Sequence, residues 1–170
     1  MSEQLKYLLD ADSFIRSKRH HYAFDICPGY WDALLRAFQR NRLASIEPIR
    51  KELLRGKDAL ADWVKDDVPE GFFESVADED VQAAYKKVVA SVEGNKQYSR
   101  AAKQKFSSGG DPWLIAVAIA KQYILVTYEV SAPESKALIK LPDVAHQSKV
   151  TCIPPYVMLR QLKVVLRLEK

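Results

Sequence analysis

The sequence predicts an α/β fold in which helices cover a mostly parallel sheet. Short apolar runs typical of buried strands alternate along the chain with longer amphipathic runs typical of helices. This alternation favours a parallel sheet with helices on both faces. The 170 residues are 48% hydrophobic, which is enough for one core without support from disulfides or structural metals. We therefore expect one domain over residues 1–170.

The N-terminal half supplies two predicted strands and four predicted helices. The first strand covers residues 5–9, an apolar run followed at once by Asp-Ala-Asp-Ser, a sequence typical of a helix cap. Phe72 and Phe73 are interpreted as a small apolar anchor between helices. The other strand is predicted over residues 43–46, and the helices over residues 29–38, 47–56, 57–66 and 78–94.

The C-terminal half contains the clearest local signal. Gly109-Gly110-Asp111-Pro112 places an Asp at a predicted N-cap and Pro at the first helical position, and an apolar helix follows. We expect this helix to lead into a β-branched strand that ends before Tyr128 and Glu129. The remaining predictions are strands over residues 123–127 and 150–153, helices over residues 95–106 and 154–168, and a polar loop around His146.

Four acids stand where a functional site of such a fold is expected. Ligands of open parallel sheets bind at the carboxyl ends of the strands, and Asp10 and Glu129 directly follow predicted strands. Asp111 precedes a helix and Glu52 lies on one. Each also has a simple structural explanation: a helix cap at Asp10 or Asp111, an exposed pair of Glu52 with Arg55, and a loop charge at Glu129. Singly, none of them indicates a function.

The acids together with their surroundings form an ordered pattern. Its segments are residues 7–15 (YLLDADSFI), 45–63, which contain Glu52, 111–118 (DPWLIAVA) and 125–129 (LVTYE). This pattern resembles the PIN-domain nucleases, in particular a toxin-type PIN-like family of unknown function (DUF4411-like), over nearly the whole chain. Residues 27–31 and 141–144 are also similar to that branch. Asp12 departs from the family, in which Asn or Ser is commoner at that position.

The resemblance implies a PIN-like three-layer α/β/α sandwich whose four acids are both catalytic and metal-ligating: Asp10, Glu52, Asp111 and Glu129. The implied cofactor is Mg²⁺ or Mn²⁺, and the implied reaction is hydrolysis of RNA phosphodiester bonds. Carboxylates suit this chemistry because hard divalent cations prefer oxygen ligands. A bound cation lowers the pKa of a water molecule and stabilises charge on the leaving oxygen. Asp12 is expected to support Asp10 or to add a ligand.

Further residues beside these acids are candidates for supporting roles. The hydroxyls of Ser13 and Thr127 could orient a carboxylate or a metal-bound water, or could simply complete loop hydrogen bonds. Three cations precede the Gly-Gly-Asp turn and are predicted to contact RNA phosphates, namely Arg100, Lys103 and Lys105. The net charge of +4 is compatible with a polyanionic partner.

The family resemblance also implies partners. Similar proteins act as toxins of type II toxin–antitoxin systems, which implies a cognate antitoxin that covers the acidic cleft, an RNA substrate and a homodimer. The longest apolar run, residues 114–120, is too short to span a bilayer, and the N terminus is polar. We therefore expect no membrane association and a cytoplasmic location.

Two alternative functions are compatible with parts of the sequence. A strand followed by Asp10-x-Asp12 also opens the haloacid-dehalogenase-like phosphatases, in which the first Asp is a nucleophile and the second a general acid/base. Ser13 and Phe14 depart from the usual continuation of that motif. The other alternative is a PIN-like module that binds partners without catalysing a reaction.

Overall fold

The computed structural model describes residues 5–168 and contains a five-stranded parallel sheet. The strands are β1 (Tyr7–Leu9), β2 (Leu43–Ile46), β3 (Phe73–Glu74), β4 (Ile124–Val126) and β5 (Cys152–Ile153). Their spatial order is β3-β2-β1-β4-β5, and every neighbouring pair is parallel. The ends of the predicted domain, residues 1–4 and 169–170, lie outside the described residues.

Helices connect the strands and flank the sheet. They are α1 (Ala11–Arg16), α2 (Pro28–Gln39), α3 (Glu47–Leu54), α4 (Ala59–Asp66), α5 (Glu79–Gly94), α6 (Arg100–Ser108), α7 (Asp111–Lys121), α8 (Leu141–Gln147) and α9 (Pro155–Gln161). A π-helical turn, Ser17–His21, directly continues α1. Across residues 5–168, every helix is too short or too polar to cross a membrane.

The core is built around the central strand and one apolar helix. All three residues of β1 are at most 1% exposed, as expected for the middle strand of a sheet covered on both faces. Helix α7 is apolar on several sides, and Leu114–Ala118 are all buried, which is typical of a helix inside a core. Gln122, with a φ of 56°, ends α7 in the left-handed conformation, so the chain can turn into β4.

The aromatic residues of α2 belong to this core. Trp31 is 2% exposed and Leu34 is fully buried, so the predicted apolar stripe of that helix is a packing surface. Trp31 stacks on Phe24 with ring centroids 4.1 Å apart and meets Trp63 edge-on at 4.9 Å. These contacts join α2 to α4.

Two segments differ in type from their predictions. Phe73 lies in the edge strand β3 rather than in an isolated apolar anchor, because the backbone next to it pairs with β2: Ser45 N donates to Phe72 O at 2.9 Å. The predicted polar loop around His146 is helix α8. Both elements depend on partners that are distant in the sequence, which local patterns do not reveal.

Two helices differ from their predicted bounds by five residues or more at one end. Helix α6 begins at Arg100 rather than at residue 95, because the Ser99 side chain accepts a hydrogen bond from Ala102 N at 3.2 Å and forms the N-cap. Helix α9 ends at Gln161 rather than at residue 168. Lys163 follows with a φ of 56°, a conformation that interrupts a right-handed helix.

Candidate active site at the ends of the central strands

The carboxyl ends of β1 and β4 meet at one edge of the sheet. Because these strands are adjacent and parallel, Asp10 and Glu129, which follow them, leave the sheet on the same side. A backbone hydrogen bond from Asp10 N to Val126 O, 3.2 Å long, fixes the two strand ends together. Glu52 comes from α3, the helix after β2, and Asp111 is the first residue of α7.

Asp10 is a buried carboxylate with a structural role of its own. The side chain is 3% exposed and caps α1, because its Oδ1 accepts a hydrogen bond from Ser13 N at 2.7 Å. Burial raises the pKa of Asp10 to about 7, although hydrogen bonds from Thr127 and Ser13 oppose the shift. The negative charge of Asp111 raises this pKa further. The interpretation of Asp10 as a helix cap is therefore correct. Capping does not explain why the charge of Asp111 acts on the same carboxylate.

Asp111 does not cap its helix, contrary to the prediction. Gly110 is the N-cap residue, Asp111 is the first helical residue and Pro112 the second, and no side-chain capping bond is formed. An added Cβ at Gly110 would lie 2.6 Å from Ile49 Cδ1 of α3, so the end of that side chain would have to shift. Helix α7 thus approaches α3 closely at its cap, and the Asp111 carboxylate makes no capping bond.

The charge environment of Asp111 links all the candidate acids. Burial is the largest cause that raises its pKa to about 7, and the charges of Glu129, Glu52 and Asp12 follow in that order. Lys140 is a cation that opposes them. The structure therefore brings the four acids predicted from the sequence, together with Asp12, into one electrostatic cluster, which we call the acidic cluster.

The two glutamates differ in how firmly they are held. Glu129 Oε2 accepts a hydrogen bond from Leu141 N at 2.9 Å, so this carboxylate also anchors the first residue of α8. Glu52 is exposed on α3. Partial desolvation raises the pKa of Glu52 and the charge of Arg55 opposes it, but solvent screening limits the energetic effect at an exposed site.

Asp12 has one satisfied and one unsatisfied oxygen. Its Oδ1 accepts a hydrogen bond from Arg16 Nε at 3.0 Å, one helical turn away. Its Oδ2 is buried without a hydrogen-bond partner. Since buried carboxylate oxygens are nearly always paired, this atom points to a donor or a cation that is bound in the functional state.

The donor set fits a hard divalent cation. Within residues 5–168, no three His, Cys, Asp or Glu side chains are arranged so that they could hold one metal ion together. Mg²⁺, however, takes only one or two protein carboxylates and retains several waters. Clustered carboxylates and the unpaired Asp12 Oδ2 match that requirement in chemical type.

The two predicted supporting hydroxyls are both buried and used within the protein. Ser13 Oγ donates to Val126 O at 2.9 Å, so this hydroxyl completes the backbone bonding of β4, while the Ser13 amide is the group that contacts Asp10. Thr127 Oγ1 accepts a hydrogen bond from Glu129 N at 3.0 Å, and the Thr127 side chain opposes the rise in the Asp10 pKa. Thr127 thereby connects the two acids that follow β1 and β4.

The three predicted RNA-binding cations lie on α6, which directly precedes the Gly-Gly-Asp turn. Arg100 and Lys105 are exposed. Lys103 is half-buried, and its Nζ donates to Glu93 O at 2.6 Å. No salt bridge among the described residues joins any of the three to the acidic cluster. Contact with RNA through these residues stays a prediction.

Lys140 was not identified from the sequence. It is half-buried at the N-cap of α8, and it lies close enough to Asp111 for its charge to lower the pKa of that acid. The sequence feature that indicates a helix start here is Pro142, two residues after Lys140, because Pro is typical of the first turn of a helix. Recognising α8 would have placed Lys140 at a helix start, but its proximity to Asp111 depends on the tertiary fold.

The sheet order and flanking helices define a PIN-like α/β protein, as predicted. A solved structure with this fold is FitAcB from Neisseria gonorrhoeae, with a TM-score of 0.54 and 16% identity, covering 88% of this chain and 98% of that chain. The crystal structure of PAE2754 from Pyrobaculum aerophilum gives a TM-score of 0.48 at 15% identity, over 94% of this chain and 90% of that chain.

The family model described as "Domain of unknown function (DUF4411)" matches residues 7–166, and the chain belongs to this family. The match confirms the resemblance to the DUF4411 family. No curated protein matches the chain.

Proposed function

We propose that this chain is an endoribonuclease that uses Mg²⁺ or Mn²⁺ bound at the acidic cluster. The observation that supports this function is the electrostatic effect of Asp111 on Asp10, two acids far apart in the sequence whose pKa values both rise to about 7, mainly through burial. Folding alone gains nothing from placing like charges together, since two carboxylates about 4 Å apart repel by roughly 4 kcal/mol at an effective dielectric constant near 20. A divalent cation removes this repulsion.

The carboxylates that would hold the cation come from Asp10, Glu52, Asp111 and Glu129, one or two of them to each ion, with Asp12 Oδ2 as a further oxygen. When bound, the cation would supply a water of lowered pKa and would stabilise charge on the leaving oxygen of a phosphodiester. Hydrolysis would leave a 5′-phosphate and a 3′-hydroxyl, as the family resemblance implies.

The protein's own groups prepare this site. Thr127 accepts a hydrogen bond from the Glu129 amide and opposes the rise in the Asp10 pKa, so it lies beside two of the proposed ligands. The Ser13 amide holds the other side of Asp10. In the metal-free protein, Asp10 and Asp111 each hold a proton for part of the time at neutral pH, and cation binding would release these protons.

The direct test is cleavage of RNA with and without Mg²⁺ or Mn²⁺ by the wild type, Asp10→Asn and Asp111→Asn. We expect metal-dependent cleavage by the wild type and a loss of roughly 10³-fold in each variant, because each removes a ligand charge. Asp62→Asn is the matched control, since Asp62 is exposed on α4 and its neighbouring cation is Lys65. Equal activity in wild type, Asp10→Asn and Asp111→Asn would disprove the metal nuclease.

We further propose that the chain acts as the toxin of a type II toxin–antitoxin system and that its antitoxin covers the acidic cluster. The support is the family resemblance together with the partial exposure of Asp111 and Glu129. Expression should arrest growth, Asp111→Asn should abolish the arrest, and co-expression of an adjacent small reading frame should restore growth. Growth arrest that persists in Asp111→Asn would separate toxicity from nuclease activity.

The phosphatase alternative is less well supported by the position of Asp10. A nucleophilic carboxylate must reach a phosphate ester, but Asp10 is 3% exposed and its Oδ1 is held by the Ser13 amide. RNA cleavage without turnover of small phosphate esters would reject this alternative. Tight RNA binding without cleavage would instead favour a non-catalytic binding module.

A further inference from the structure

Tyr128 stands between two residues of the site and is fixed by a hydroxyl network. It lies between Thr127 and Glu129 after β4, and its ring is half-buried. Its hydroxyl is 3.1 Å from Ser17 Oγ, and Ser17 in turn donates to the hydroxyl of Tyr30 at 3.0 Å. Because Ser17 has a single hydroxyl proton, Tyr128 is the donor to Ser17. The phenol is thus held against the π-helical turn.

The π-helical turn brings a second ring to Tyr128. His21, the last residue of the turn, is exposed, and its ring centroid is 6.3 Å from that of Tyr128 with the planes 45° apart. π-Helical insertions are rare and are often found at functional sites. Without the turn, α1 would run into the following loop in a different register and His21 would point elsewhere.

The rings of His21 and Tyr128 differ from their aromatic neighbours in how they pack. Tyr22 and Tyr30 are stacked, with centroids 4.1 Å apart and planes 4° apart, so each covers a face of the other. The pair His21 and Tyr128 is tilted rather than stacked. Among the described residues, Tyr128 has no stacked aromatic partner and His21 is tilted or edge-on to its neighbours.

We propose that His21 and Tyr128 form a nucleobase-binding subsite beside the acidic cluster, which receives an unpaired base of the RNA whose phosphate lies at the acids. This inference rests on the proposed endoribonuclease function. Aromatic rings with an accessible face bind single-stranded nucleic acid by stacking on the bases, largely without regard to sequence. Because Tyr128 is bonded directly to Glu129, a base held there is close to a phosphate at the acids. The subsite would therefore position the RNA strand for cleavage.

The test is binding of a short single-stranded RNA to the full chain carrying Asp10→Asn, in the presence of Mg²⁺. Tyr128→Leu and His21→Ala should each weaken binding about 5- to 150-fold, the range found when one base–aromatic stack is removed. Tyr128→Phe keeps the ring and should retain most of the affinity, although it loses the bond to Ser17. Tyr156→Leu and His146→Ala, exposed residues on α9 and α8, are matched controls and should bind like the parent.

Two further measurements distinguish stacking from other causes. An RNA with 2-aminopurine at the bound position should lose fluorescence on binding to the parent and to Tyr128→Phe, but not to Tyr128→Leu. An abasic RNA should bind the parent and Tyr128→Leu equally. Wild-type cleavage with unchanged binding in Tyr128→Leu and His21→Ala would overturn the subsite alone. Absence of both RNA binding and cleavage in the wild type would overturn the subsite together with the nuclease.

Discussion

Glu74 and the acidic cluster have opposite electrostatic surroundings. Glu74 on β3 is bound by Lys6 at 2.7 Å and by Lys121 at 3.0 Å. Burial by itself would raise the pKa of Glu74, but the hydrogen bonds and charges of the two lysines lower it below its ordinary value. Asp10 is buried and Asp111 is half-buried, and the pKa values of both rise to about 7.

The difference shows that burial alone does not mark a functional acid. Glu74 is a completed ion pair that joins β3 to the segments before β1 and β4, which is a structural role. The acidic cluster has its own like charges as neighbours and Lys140 as an opposing cation. An arrangement that costs stability in the free protein is expected where a ligand completes it.

The largest expected effect concerns the pH dependence of stability in the metal-free protein. The ordinary pKa of Asp10 and of Asp111 is 3.8, and the folded values are about 7, so the folded state binds more protons in this range. Their contribution is fully present below about pH 4 and is lost as the pH rises through about 7. Because each tenfold change in proton affinity corresponds to about 1.4 kcal/mol, the loss amounts to several kcal/mol.

Urea unfolding in EDTA at a series of pH values measures this dependence. Asp10→Asn should flatten the fall in the free energy of unfolding between about pH 4 and 7. Glu74→Gln should leave that slope unchanged, because the pKa of Glu74 is lowered below 4.5 and its contribution disappears only at lower pH. A wild-type stability that rises from pH 4 to 7 would contradict the shifted pKa values of the acidic cluster.

The second prediction concerns the paired acid. Glu74→Gln keeps the shape of the side chain but leaves Lys6 without its charged partner and Lys121 with Asp78 alone, so we expect a loss of roughly 2–3 kcal/mol in the free energy of unfolding at neutral pH. RNA cleavage at a temperature well below the transition should stay at the wild-type level. Loss of cleavage in a folded Glu74→Gln protein would show that the structural pair contributes to the site.

The third prediction uses metal as the probe. At a concentration about ten times its dissociation constant, Mg²⁺ or Mn²⁺ should stabilise the wild type by roughly 1.4 kcal/mol, because it binds the folded state selectively. Asp111→Asn should show little stabilisation, whereas Glu74→Gln should respond like the wild type. Equal stabilisation of Asp111→Asn and wild type would place the metal elsewhere.

The smallest expected effect is that of Lys140→Gln. Removing a half-buried cation that opposes the acidic cluster should lower the free energy of unfolding at neutral pH by about 0.5–1 kcal/mol in EDTA. Added Mg²⁺ should reduce the difference, since a cation then neutralises the acids. If the free energies of unfolding of Lys140→Gln and wild type differ by the same amount with and without Mg²⁺, Lys140 stabilises the packing of α8 and does not act through the acids.

Elements with strong local signals were predicted closely. Strand β2 has its predicted bounds, and helix α7 follows the Gly-Gly-Asp-Pro sequence as expected. The two-residue strand β3 and the seven-residue helix α8 were missed, because both depend on partners that are distant in the sequence. β3 is defined by pairing with β2, and the first amide of α8 binds Glu129, a residue twelve positions earlier.

The sequence alone determined the fold class and the family, and it predicted the acids of the site, because apolar periodicity, turn residues and the ordered acidic segments are local properties. Only the structure decided what two of the acids do locally: Asp111 leaves its cap position to Gly110, and Glu129 holds α8. It also decided which acids repel one another and which, like Glu74, are paired. These properties depend on distances between segments far apart in the chain, which a sequence pattern does not specify.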